Sequence, residues 1–223
     1  MGIEQNIQEV RNRIENACRR GSRSPDEVTL VAITKTHDAK TVRSAFNAGI
    51  RHFGENRVQE ADVKLVELDD IKEQSTWHMV GHLQTNKVKT AVGLFDIIQS
   101  VDSIKLAETL NRNVIKPLPI LLEVNVAEEE TKSGFDIHEL NLALTQMGRL
   151  ENLEIRGLMT VAPWVDNPEE VRPVFRRLRE LAEAQGLGEL SMGMTDDFEV
   201  AIEEGATMIR VGRAIFGKRR YNQ

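Results

Sequence analysis

A chain of 223 residues, 40% of them hydrophobic, can bury a substantial core as one large domain or two small ones. Its formal net charge of -6 excludes nucleic acid as the main partner, because phosphate binding needs a basic face. The single cysteine, Cys18, excludes an internal disulfide and most zinc sites; no apolar run reaches membrane-spanning length, and Met1–Gln5 lacks a signal-peptide pattern, so the chain reads as soluble and cytoplasmic.

Residues 3–20 space Ile3, Ile7, Val10, Ile14, Ala17 and Cys18 three or four apart. This predicts an amphipathic helix that ends at Gly21 and carries Cys18 as a small core residue. Val28–Thr36 is an apolar, largely β-branched run and predicts a strand buried on both faces. Lys35 stands at its carboxyl end. Position alone favours a stem lying over apolar surface with the ammonium in water. The C-terminal end of a parallel strand is also where α/β proteins place chemistry, and desolvation there favours the neutral, nucleophilic amine.

Helix and strand signals then alternate. A helix over Ala39–Ala48 stops at Gly49. The second strand, Arg51–Gly54, leads into Glu55 and Asn56, and Val58–Leu68 is helical. The third strand, Thr76–Gly81, is followed by a polar stretch, His82–Lys87, and a short helix. The fourth, Phe95–Val101, precedes a helix to Leu110 capped by Asp102 or Ser103. The fifth strand is Pro119–Val126; after it, Glu128-Glu129-Glu130 reads as a solvated loop and Asp136–Met147 as a helix. Leu153–Val161 holds the sixth strand, Pro168–Ala184 a long helix, and Leu187–Met194 the seventh strand. A short helix over Asp196–Glu204 precedes the eighth strand, Thr207–Gly212, and the turn Arg213–Phe216. Eight strand–helix units predict a single α/β domain over residues 1–223. Its expected form is a closed (β/α)8 TIM barrel with an extra N-terminal helix. An open doubly wound sheet is the alternative, but the first strand–helix turn lacks the G-x-G-x-x-G fingerprint.

In a barrel the C-terminal strand ends form the active face. Here they carry Lys35, Asn56, His78, Asn125, Met159, Ser191–Thr195, Arg210 and Gly212. Ser191, Gly193 and Thr195 offer two hydroxyls and a permissive glycine at the seventh turn, and Gly212 adds a glycine at the eighth. Loops after strands seven and eight often build phosphate sites, although Ser-x-Gly-x-Thr alone also suits a plain turn. A strand-end lysine with a phosphate cradle points to a phosphorylated carbonyl compound. That compound is either an aldolase-like substrate held as a Schiff base or pyridoxal phosphate. Arg210, always cationic, would keep a neighbouring pyridine nitrogen unprotonated; its plainer role is a buried ion pair. His78 and His82 flank a strand-to-loop transition at Gly81, so no helical metal pair is expected, and His78 reads as a hydrogen-bonded core histidine.

The stretches Val31–Thr36, Phe53–Glu60, Trp77–Lys87, Lys132–Gly134, Arg156–Met159, Leu190–Asp197 and Ile209–Gly217 carry a resemblance that runs nearly end to end. The sequence resembles the pyridoxal phosphate homeostasis proteins, small single-domain relatives of the alanine racemase barrel. The resemblance implies pyridoxal 5'-phosphate (PLP) as cofactor, held as a Schiff base on Lys35. It implies that Asn56 lies beside the cofactor and that Ser191, Gly193, Thr195, Arg210 and Gly212 hold its phosphate and ring. Thr195 stands where the family commonly has serine, and the hydroxyl is kept. His78 and Met159 are further candidates to border the cofactor, and no metal is expected.

The implied role is intracellular vitamin B6 homeostasis and amino- and keto-acid balance, without efficient catalysis. Two-base racemases of this barrel class have a further β-domain and a partner-subunit tyrosine. Here the chain ends shortly after the eighth strand, and its only tyrosine is Tyr221. An open mouth leaves the site wet and short of a second base. A PLP-dependent, racemase-like amino-acid enzyme is the alternative. The expected partners are PLP and PLP-dependent apoenzymes, with neither nucleic acid nor membrane, and a monomer is expected. Lys132 reads as a surface lysine.

Overall fold

Short apolar runs alternating with amphipathic segments close into a barrel in the computed structural model, which describes residues 2–129 and 132–217. Helix α1 (Ile3–Arg20) comes first. It is followed by β1 (Thr29–Ile33), α2 (Ala39–Asn47), β2 (His52–Glu55), α3 (Val58–Glu67), α4 (Asp69–Lys72) and β3 (Thr76–Met79). Next come α5 (Val88–Leu94), β4 (Ile97–Val101), α6 (Ile104–Asn113), β5 (Leu118–Glu123), α7 (Leu140–Met147) and β6 (Leu153–Met159). The chain continues through α8 (Arg172–Ala184), β7 (Glu189–Met194), α9 (Phe198–Glu203), β8 (Met208–Val211) and α10 (Arg213–Phe216). Glu130 and Tyr221, named in the sequence reading, lie outside the described residues.

The strands pair in parallel in sequence order, and β8 returns to β1 with Leu30 opposite Ile209. The expected TIM barrel with an added N-terminal helix is therefore the observed architecture. Closure leaves the strands of this sheet without an unpaired edge. Side chains alternate across each strand. Phe53 and Trp77 point outward, stack with ring centroids 5.0 Å apart, and are fully buried under the helices. Inside the barrel, His78, Gln99, Ser191 and Arg210 are buried polar residues beside a small apolar group of Leu121, Met159 and Met208. Helix α1 buries Ile7, Val10, Ile14, Ala17 and Cys18, the stripe that its periodicity predicts.

Several boundaries differ from the sequence reading for local reasons. β1 stops at Ile33, so Lys35 sits in the turn beyond it; Thr36 takes φ 67°, which ends the extended run. β5 stops at Glu123, and Asn125 closes the next loop through paired bonds to the Glu129 backbone at 2.9 and 3.2 Å. The helix expected from Asp136 begins at Leu140, because the Asp136 carboxylate accepts the His138 N–H at 2.7 Å and holds a turn. The helix expected from Pro168 opens with a 3₁₀ turn, and α8 starts only at Arg172. Pro173 has no N–H to give Glu169, so the α-helical ladder cannot run through that point. Ser103 is the cap of α6, its hydroxyl accepting the Leu106 N–H at 3.3 Å. No helix among the described residues is long and apolar enough to cross a membrane.

Candidate functional site

The C-terminal ends of β1, β2, β7 and β8 border a cavity of about 310 Å³, within the range of small-ligand sites. Lys35, Asn56, Thr195, Arg210 and Gly212 line it, with Val80 and Val161 among its apolar walls. These are five of the residues singled out in the sequence. Ser191, Gly193, His78 and Met159 are not among its lining residues. Ser191 is buried against Arg210, His78 is fully buried inside the barrel, and Met159 packs with Leu121 and Met208.

Lys35 is half-buried, and the turn that carries it is braced from α3. The Thr36 N–H donates to the Glu60 carboxylate. Lys64 Nζ donates to the Thr34 carbonyl at 2.8 Å and pairs with the Glu55 carboxylate. Thr34 Oγ1 donates to Glu55 Oε1 at 2.7 Å. Glu55 is fully buried; burial raises its pKa, while the Lys64 charge opposes the rise. Sequence reasoning missed Lys64, which looks like any lysine of a charged helix. One signal was available: Lys64 falls on the stripe that Val58, Ala61 and Leu65 bury.

Asn56 is placed by a close approach. A Cβ on Gly81 would meet the Asn56 carbonyl oxygen at 2.4 Å and its Cα at 2.7 Å. Only glycine at 81 lets the β2 and β3 turns touch there. Asn56 Oδ1 is buried and has no hydrogen-bond partner among the described residues. At the cavity wall this acceptor is open to a donor brought into the cavity.

Arg210 is buried at the end of β8. Its Nη1 donates to Ser191 Oγ at 2.6 Å and its Nη2 to the Thr160 carbonyl at 2.7 Å. Among the described residues no carboxylate approaches within ion-pair distance of it, so the plain expectation of a buried ion pair is not met. Burial pushes its pKa down to about 10, and the more distant Glu123 and Asp197 oppose the fall. The guanidinium therefore stays charged at neutral pH while bonded only to neutral acceptors.

The turn after β7 supplies donors. The backbone N–H groups of Thr195, Asp196 and Arg213 have no protein acceptor among the described residues. Gly193 holds φ +90°, and a Cβ there would come within 2.5 Å of Ala201 Cβ and 2.9 Å of Phe198 Cα. Glycine is thus required for α9 to pack on β7, beyond any role toward a ligand. Gly212 has an ordinary φ, and its Cβ would lie 3.3 Å from the Ile33 carbonyl oxygen. The turn is held by Asp197, whose carboxylate accepts the Met194 N–H, and by Arg13 of α1. Arg13 donates to the Thr195 carbonyl at 3.3 Å, pairs with Glu199 at 2.8 Å, and lies over the Phe198 ring at 4.4 Å. Asp196 and Arg213 form an ion pair at the rim. Lys132 bonds to the Glu129 carboxylate and the Val161 carbonyl, outside the cavity lining.

A family model for the alanine racemase N-terminal domain matches residues 3–220. The pyridoxal phosphate homeostasis protein of Aquifex aeolicus is 41% identical over 230 residues, covering 99% of this chain and 100% of its own. That of Escherichia coli K12 is 37% identical over 234 residues, covering 99% and 98%. The structure of PipY of Synechococcus elongatus PCC7942 with PLP bound is 40% identical, with a TM-score of 0.84, over 96% of this chain and 100% of that one. The alanine racemase of Corynebacterium glutamicum shares the fold at 16% identity and a TM-score of 0.67; this chain covers 62% of it.

Proposed function

Because the chain belongs to the pyridoxal phosphate homeostasis proteins of the alanine racemase N-terminal domain family, we propose that it binds PLP and serves vitamin B6 homeostasis without efficient catalysis. The carrying observation is that Lys35, in its braced turn, and Arg210, a buried cation bonded only to neutral acceptors, line the same cavity.

The residues present fit the cofactor. Lys35 would hold its aldehyde carbon covalently. The Thr195 hydroxyl and the unclaimed N–H groups of Thr195, Asp196 and Arg213 would hold its phosphate. Arg210 and the orphaned Asn56 acceptor would meet polar atoms of the ring, with Ser191, Gly193 and Gly212 shaping the wall beneath. His78 and Met159 belong to the barrel interior in this reading and not to the cofactor's contacts. When bound, PLP supplies an electrophilic carbon and a conjugated ring that withdraws electrons. Arg210 works against the second property, since it donates hydrogen bonds and carries no proton it releases at neutral pH.

Proton transfer is also poorly served. Besides Lys35, the titratable side chains lining the cavity are Asp196, Arg210 and Arg213, and Asp196 is claimed by Arg213. No histidine, cysteine or tyrosine among the described residues lines it to act as a second base. Residues 1–223 work in this reading as one monomeric, cytoplasmic barrel, whose closed sheet offers no edge for subunit pairing. It exchanges PLP with PLP-dependent apoenzymes through the mouth.

The visible absorbance of the purified protein, followed by borohydride reduction and peptide mass mapping, tests the reading. A yellow protein with a pyridoxyl group on Lys35 supports it. A protein that stays colourless with added PLP and bears no adduct overturns it. Amino-acid racemisation or transamination at rates typical of enzymes, abolished by Lys35→Ala, would overturn the non-catalytic half.

A further inference from the structure

Five strands each contribute one polar side chain to a continuous hydrogen-bonded chain through the barrel interior. Arg210 Nη1, from β8, donates to Ser191 Oγ of β7 at 2.6 Å. Ser191 Oγ donates to Gln99 Oε1 of β4 at 2.6 Å. Gln99 Nε2 meets His78 Nδ1 of β3 at 2.8 Å, and His78 Nε2 meets His52 Nδ1 of β2 at 3.1 Å. The first four residues are buried. His52 is half-buried at the start of β2, where it borders a depression of about 370 Å³ at the N-terminal end of the barrel. Lys35 lies at the opposite end.

Each member's protons are dictated by its neighbours. Arginine can only donate, so Ser191 accepts from Arg210 and turns its own hydroxyl toward Gln99. The Gln99 oxygen is then used, and its amide nitrogen donates to His78. Neutral His78 must carry its proton on Nε2 and donate it to His52. Burial pushes the His78 pKa down to about 3, so this ring stays neutral. His52 Nδ1 is therefore an acceptor, and His52 is neutral too. Adding a proton to His52 places two donors face to face. His78 must then move its proton to Nδ1, and Gln99 must rotate its amide. Ser191 would receive hydrogen bonds from both Gln99 and Arg210, and its own hydroxyl would lose its acceptor.

We propose that Gln99 and His78 are positioning residues for the Ser191–Arg210 pair, and that their hydrogen-bond polarity carries the protonation state of His52 from one mouth of the barrel to the cavity at the other. The naming of that cavity as a cofactor site rests on the reading above; the chain does not. His52 is faced by His78 from β3 and by Asp96 just ahead of β4. Its depression is bordered by Arg11 of α1, Asp26 ahead of β1 and its neighbour Arg51. Burial lowers the His52 pKa and the Asp96 carboxylate opposes the fall, and the chain sets what that titration moves.

Nitrogen-15 NMR of the histidine rings and the Arg210 guanidinium, from pH 8 down to the onset of acid unfolding in the full-length protein, tests this. The expected result is His78 as the Nε2–H tautomer at high pH, switching to Nδ1–H at the His52 midpoint, with the Arg210 Nε resonance shifting at that midpoint. In Gln99→Leu, His52 still titrates and Arg210 stops responding. Ser191→Ala cuts the chain one link nearer Arg210 and serves the same purpose if Gln99→Leu fails to fold. A single His78 tautomer across the His52 titration overturns the proposal. So does an Arg210 response that survives the cut, or a His52 that stays neutral until the protein unfolds. Visible absorbance with added PLP, read on the same samples, separates the two readings. A coupled titration without a chromophore removes the cofactor and keeps the chain, and a chromophore with uncoupled histidines does the reverse.

Discussion

At Thr36 the backbone takes φ 67°, a conformation that a β-branched residue keeps only when its surroundings hold it there. The Glu60 carboxylate receives the Thr36 N–H, and the Lys64 ammonium ties the Thr34 carbonyl. Both partners of the Lys64–Glu55 pair are buried, so removing one strands the other. Lys64→Met should lower the unfolding free energy in urea by about 3–5 kcal/mol. The double variant Lys64→Met, Glu55→Met should recover much of that loss; no recovery would mean that the pair is not coupled. His78 gives a second prediction. Its pKa falls from an ordinary 6.5 to about 3 in the folded protein because the ring is buried. Between those values the unfolded chain binds the proton and the native one does not. Stability therefore rises with pH across the window and is lost on acidification. Replacing His78 by Gln should flatten the slope of unfolding free energy between pH 6 and 4 by about 1.4 kcal/mol per pH unit. Equal slopes in the two proteins would show that His78 protonates freely when folded.

At the scale of elements, α1 does more than cover the barrel. Its apolar stripe docks it, and Arg13 on the polar flank then reaches the turn after β7. The Arg13–Glu199 pair is about a third exposed on both sides, so it is worth little as a bare ion pair. Its role is to hold the Thr195 carbonyl while the arginine plane lies on Phe198. Arg13→Leu keeps the apolar cover and removes the tether. It should weaken PLP binding about threefold, as read by absorbance titration, with little change in stability. Unchanged affinity would assign the tether to α1 docking alone. Elsewhere, glycines in strands and turns set how closely elements approach. Gly81 lets the β2 and β3 turns meet, Gly193 lets α9 sit on β7, and at Gly157 a Cβ would fall 1.8 Å from the Glu189 carbonyl oxygen.

For the whole molecule, closure of the sheet makes the site and the fold one cooperative object. The polar residues at the cavity come from β1, β2, β7 and β8 and the turns beyond them, which adjoin because β8 pairs with β1, while Val80 and Val161 close it from the ends of β3 and β6. A ligand that bridges those turns binds the folded state alone. PLP at a hundred times its Kd should stabilise the protein by about 2.7 kcal/mol, raising Tm by about 5–11 °C for a chain of this size. Lys35→Ala should remove most of that shift, because the covalent hold is lost. An equal shift in the variant would place the binding energy elsewhere.

Local chemistry was enough to read the order of the strands, the apolar stripe of α1, and five of the residues that meet at the cavity. Strand runs and helix stripes are periodicities of two and 3.6 residues, and the barrel's active face follows from parallel strands alone. Element ends were less legible where a side chain bonds to nearby backbone, as at Asp136 and Asn125, or where a proline interrupts the ladder, as at Pro173. Other features had no local signature. Nothing near Lys64 in sequence reveals that its ammonium reaches Thr34, and nothing near Arg210 shows that its partners are the neutral Ser191 hydroxyl of β7 and the Thr160 carbonyl just past β6 instead of a carboxylate. His52 and His78 gave no hint of sharing a bond, and Gln99 was not singled out at all. Those contacts join residues far apart in the chain, and they exist only where the closing sheet faces side chains inward from several strands at once. Residue types and their spacing decide which segments become strands and helices and which polar residues reach the strand ends. Tertiary closure decided which of those residues share a cavity and which share a proton.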